Sequence, residues 1–138
     1  MNIMRASSLV PAVIVFFASL PAGADVVRHS AVPVSLRGTW APSAQDCNKT
    51  ESAIVLSNKS YVGSKGRCVV EWVSETAGAR GAIYSARLQC SGTAAGQQTA
   101  ELNLILVPSD GNQLSVGDDF NSLKPYQRCP ASEPATTR

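Results

Sequence analysis

From residue 36 to residue 129 the chain is a series of short runs in which β-branched and apolar residues alternate with polar ones. The runs fall at 36–40, 53–56, 60–63, 67–73, 83–90, 99–107, 113–116 and 125–129. Turn formers separate them: Asn58-Lys59, the glycine pairs at 63 and 66, 78 and 81, and 92 and 96, and Asp110-Gly111-Asn112. A period of two bounded by such residues predicts strands. No 11-residue window carries an apolar stripe of helical period, and glycines and β-branched residues recur too often for a stable helix. Seven or eight short strands in about 95 residues predict an all-β fold, a small antiparallel meander barrel.

One hairpin can be registered from the pattern. If 67–73 and 83–90 pair about a turn centred on Ala79, Cys68 faces Cys90, Val70 faces Leu88, Trp72 faces Ala86 and Glu71 faces Arg87. Cysteines, apolar partners and opposite charges then share consistent faces, and a slip of one residue would mix the faces. Residues 99–107 support a half-buried sheet, since Leu102, Leu104 and Leu106 alternate with Glu101, Asn103 and Ile105.

The segment ahead of these runs reads differently. Arg5 precedes a mainly apolar 12-residue stretch, 9–20, and Ala22-Gly23-Ala24 follows it. That order describes a secretory signal peptide with cleavage expected after Ala24. Twelve residues at about 1.5 Å each are too short to cross a bilayer core of roughly 30 Å. The expected organisation is a signal peptide at 1–24, an extended leader at 25–35, a barrel domain at 36–130 and a disordered tail at 131–138, with a periplasmic or secreted location. The exported part holds 11 Lys plus Arg against 10 Asp plus Glu, scattered in sign. That balance gives no reason to expect a nucleic-acid partner.

Four cysteines, Cys47, Cys68, Cys90 and Cys129, all follow the signal segment, and an even count in an oxidising compartment reads as two disulfides. Their spacings of 21, 22 and 39 residues contain no metal-binding pair. The hairpin register favours Cys68–Cys90, leaving Cys47–Cys129 to tie the first strand's exit to the last strand. The map Cys47–Cys68 with Cys90–Cys129 stays open. Catalytic chemistry has little to work with. His29 is the one histidine and lies in the leader, and Asp118-Asp119 reads as a solvated turn. Asn48-Lys49-Thr50 and Asn58-Lys59-Ser60 fit the glycosylation pattern, which arises often by chance. No enzyme activity, cofactor or metal is expected. Trp40, Trp72 and Tyr84 are expected to fill the core.

Gly38-Thr39-Trp40 resembles the G-x-W signature of calycin-like barrels, which implies that Trp40 plugs one barrel end. In size the chain is similar to the eight-stranded periplasmic metalloprotease-inhibitor barrels, with Gly38, Trp40, Cys47 and Cys68 as matching features. That resemblance implies inhibition by the N-terminal leader and would favour the Cys47–Cys68 pairing. Across residues 37–130, "RGTWA", "RCVVEWV", "LQCSG", "LNLIL" and "YQRCP" resemble a set of small secreted bacterial four-cysteine barrels that bring no activity with them. The expectation is a monomeric, non-enzymatic binding protein with an unidentified protein or small-ligand partner and no membrane span after signal cleavage. Val26, Val27, Arg28 and His29 are the candidate partner-binding residues. A protease inhibitor acting through the leader, or an interaction protein of the cell envelope, are the alternatives.

Overall fold

The computed structural model describes residues 10–16, 25–64, 66–91 and 100–131. Most of the expected signal peptide, residues 1–9 and 17–24, the glycine turn at 92 and 96, and most of the expected tail, residues 132–138, lie outside them. Nine strands form among the described residues, in chain order: β1 (Val26–His29), β2 (Gly38–Ala41), β3 (Ile54–Leu56), β4 (Ser60–Gly63), β5 (Gly66–Gly78), β6 (Gly81–Cys90), β7 (Ala100–Ser109), β8 (Gln113–Gly117) and β9 (Lys124–Arg128). Strands β2 to β9 make a closed eight-stranded antiparallel barrel, joined in the order β5-β4-β3-β2-β9-β8-β7-β6 and shut by β5 on β6. Closure removes the free edges that an open sheet of this size would expose.

The interior is the inward set of the alternating pattern. Leu56, Tyr61, Val70, Leu88, Leu104, Leu106, Leu114 and Trp40 are all buried in one cluster. A second, smaller cluster forms outside the barrel wall. There the 3₁₀ turn Ala44–Asn48 folds back over β2, and Ala41, Ala53 and Cys129 are buried against Cys47. Cys47–Cys129 fixes that fold-back, and Cys68–Cys90 bridges β5 and β6. The pairing favoured by the hairpin register is the one present. Cys47 and Cys68 are not partners.

The register of the β5–β6 hairpin holds only for its first part. Cys68 faces Cys90 and Val70 faces Leu88, but a bulge follows, and Trp72 then faces Arg87 while Val73 faces Ala86. Glu71 is the extra residue. Two expectations are corrected by it: Glu71 does not oppose Arg87, and Trp72 does not oppose Ala86. Arg87 instead bonds Glu101 and Asn103 on β7. A bulge puts two successive side chains on one face and sharpens the local twist. Glu71 and Trp72 therefore both point outward, and Trp72, expected in the core, is a half-buried residue of the outer wall. Val73 regains the interior with no exposure.

Beyond the bulge the hairpin runs on to Gly78 opposite Gly81, so β5 and β6 outreach their neighbours. Strand β4 pairs only with residues 66–69 of β5, which leaves residues 73–76 without it. The leader fills that place. β1 pairs antiparallel with β5, with Val26 opposite Thr76 and His29 opposite Val73. Within the leader, residues 26–29 are docked on β5 rather than free, and Val34–Leu36 form a 3₁₀ turn.

Candidate functional site

After β1 the chain crosses one end of the barrel and closes it. Val32 and Leu36, each 1% exposed, enter the core from the crossing segment, and the Val32 amide donates to the Asn58 carbonyl in the β3–β4 turn at 2.8 Å. The Trp40 indole lies beneath and donates from Nε1 to the Leu36 carbonyl at 3.0 Å. Arg128 of β9 stacks its guanidinium 4.2 Å from the centre of that indole. It also donates to the carbonyls of Arg37 at 2.8 Å and Ser35 at 2.7 Å. Trp40 is thus buried beneath the crossing segment. Arg128, which the sequence reading missed, clamps the crossing segment onto it. The readable signal was parity, since Arg128 shares the face of Tyr126 on the last strand.

Gly38 allows this clamp. Its φ is +130°, and a Cβ there would lie 3.0 Å from Arg128 Nη1. A side chain at this position would meet both backbone strain and the stacked guanidinium. Gly38→Ala is expected to lower stability by about 1–3 kcal/mol, read as a reduced urea midpoint with an unchanged slope.

Three polar side chains sit together on the inner face of the projecting flap made by β1, β5 and β6. His29 Nε2 lies 2.7 Å from Glu75 Oε2, and the Tyr84 hydroxyl donates to Glu75 Oε1 at 3.4 Å. Burial and then the Glu75 carboxylate push the Tyr84 hydroxyl above the ordinary tyrosine range. On the outer face Arg28 stacks 4.2 Å above Trp72. Arg28 and His29 thus anchor the leader, one on each face. Val26 and Val27 remain 60% and 51% exposed. β1 has β5 as its one strand neighbour among the described residues, so its other edge is unpaired. Beside Val27 a shallow groove runs over Glu75, Ala77, Gly78, Gly81 and Ala82. The four candidate residues are therefore brought to one edge strand, two as anchors and two as exposed apolar side chains.

The opposite barrel end is also filled. Tyr61 is buried, and its hydroxyl is pushed up to about 12 by burial first, then by Tyr126 and Asp118. A neutral phenol is favoured in the fold, so this contribution to stability is complete below the unfolded value of about 10 and is lost as pH rises from there to about 12. Ultraviolet titration is expected to show a late-ionising tyrosine coincident with alkaline unfolding, and Tyr61→Phe should remove that late step. Asp119 is part of a turn, its Oδ1 accepting from the amides of Asn121 at 2.8 Å and Ser122 at 2.9 Å. Phe120 at the tip of this turn is 62% exposed. Among the described residues no group of three or more His, Cys, Asp or Glu side chains is placed to hold a metal.

No family model, curated protein or solved structure matches the chain. Two disulfides fit a protein folded in an oxidising, extracytoplasmic setting. No helix among the described residues is long and apolar enough to cross a membrane.

Proposed function

We propose that this is an exported, non-enzymatic binding protein, released from its signal peptide after Ala24, that engages a protein partner by strand addition at the open edge of β1. The observation carrying this reading is the pairing of an edge strand whose valines are exposed with a barrel whose interior is occupied by its own side chains. The barrel interior is lined by buried apolar side chains such as Leu56, Leu88, Leu106 and Leu114. An extended peptide finds backbone donors and acceptors along β1. In strand addition the main chain supplies affinity and alternate side chains supply specificity. Here the alternation is built in, because Arg28 is held on the outer face while Val27 and the small residues Ala77 and Ala82 floor the inner one. The G-x-W start with Trp40 as plug adds support for a calycin-like scaffold, in which a rigid barrel presents the working segment.

The site is tested by capture from the exported fraction with immobilised protein. The wild type is expected to retain a partner that Val27→Asp loses and that Val69→Asp, an exposed change elsewhere on the wall, keeps. Retention by both variants, or loss by both, would sink the assignment to β1.

A further inference from the structure

Resting on that reading of the β1 edge, we infer that the edge accepts a second copy of the same chain, the two β1 strands pairing antiparallel about a two-fold axis through Val27. The argument is one of register. The inner face of β1 carries Asp25, Val27 and His29, and the outer face carries Val26 and Arg28, as their partners on β5 and their contacts require. A two-fold pairing that keeps inner residues opposite inner residues must centre on a residue, because strand side chains alternate with a period of two. Centring on Arg28 sets Arg28 against its own copy, and like charges directly opposite are destabilising. Centring on Val26 leaves only residues 25–27 overlapping. Centring on Val27 pairs five residues of each copy: Val27 with Val27, Val26 with Arg28, and Asp25 with His29 at both ends.

The end pairs set a carboxylate opposite an imidazole, which carries charge only when protonated. His29 uses Nε2 on Glu75, and its Nδ1 has no partner among the described residues. Asp25 of the second copy reaches the same inner face opposite that ring. Arg28 is already held flat by Trp72, so Val26 of the other copy meets its aliphatic stem rather than a mobile charge. Val27 meets its own copy on the inner face, and the unpaired backbone edge is satisfied by its own likeness. Five residues per copy is far below the 20–30 of a standard interface, so the dimer is a weak one, with a dissociation constant on the order of 0.1 mM. The monomer expected from the sequence is then the state at low concentration.

The test uses the purified exported protein in sedimentation velocity from micromolar to millimolar concentration. A reversible monomer–dimer equilibrium is expected, weakened at least about tenfold by Val27→Asp or Asp25→Lys and unchanged by Val69→Asp. A short thiol-specific cross-linker should join Val27→Cys into a covalent dimer and leave Val26→Cys largely monomeric, which reads the register itself. A monomer at the highest concentration, a dimer indifferent to Val27→Asp, or stronger cross-linking of Val26→Cys would each overturn the inference. If the dimer is absent while capture of another protein still depends on Val27, self-pairing fails and the edge reading stands. If neither depends on Val27, both fail.

Discussion

Trp40→Ala is expected to remove about 3–5 kcal/mol of stability, the range for deleting a fully buried large aromatic, from a domain of a size that typically holds only 5–15. The loss is placed at the high end by what the indole does. Trp40 is 1% exposed and donates its N–H to the Leu36 carbonyl. It also carries the Arg128 guanidinium that holds the carbonyls of Ser35 and Arg37. Removing it opens a cavity and leaves a buried carbonyl without its donor. It also frees the arginine that clamps the crossing segment. Val32 and Leu36 then lose the floor they pack on, so the barrel end opens together with the docked leader. Equilibrium unfolding in urea should show a large fall in midpoint. Trp40→Phe, which keeps most of the volume and loses the N–H, should fall between the two.

The second large effect is expected from Cys47→Ser combined with Cys129→Ser. The bridge closes a loop with a sequence separation of 82 residues, which the chain-entropy model values at about 4.5 kcal/mol. The corresponding figure is about 3 kcal/mol for the 22-residue loop of Cys68–Cys90. The long bridge also holds the fold-back of residues 44–48 on the wall, where Ala41 and Ala53 are buried in one small cluster with Cys47 and Cys129. Its removal should therefore lower stability more than removal of the short bridge, and amide exchange should accelerate first across residues 42–53. A larger effect from Cys68→Ser with Cys90→Ser would contradict this ordering. In that case strand pairing between β5 and β6, rather than chain closure, would dominate the stability.

Much of this architecture was legible because it rests on local pattern. The strand runs are set by alternation and by glycine and asparagine turns, and the observed β2, β3, β4, β8 and β9 fall within a residue or two of them. Cys68–Cys90 followed from register because the part of the hairpin nearest the cysteines is regular. The bulge at Glu71 was not legible. One extra residue alters no composition, and Trp72 is apolar on either face, so an inward indole and an outward one fit the pattern equally well. Only burial distinguishes them, and burial belongs to the closed barrel.

The leader is a similar case. Val26-Val27-Arg28-His29 is too short to announce itself as a strand. Its partner exists only because β5 outreaches β4, a fact about three strands at once. Glu75 and Arg128 gained their roles in the same way. Each is an ordinary charged residue on a strand until β1 docks beside Glu75 and the crossing segment reaches Arg128. In the sequence, residues 26–29 stand out only as a segment of the leader. Their division into two anchors and two exposed valines comes from the β5 pairing alone.

The proposal that β1 is the working edge is tested most directly by amide hydrogen exchange of the protein, residues 25–138, with and without a partner captured on it. The expected result is slowed exchange at residues 25–29 and along the projecting part of β5, with the interior around Leu106 and Leu114 unchanged. Protection centred on barrel-interior residues, with β1 exchanging as fast as in the free protein, would contradict it.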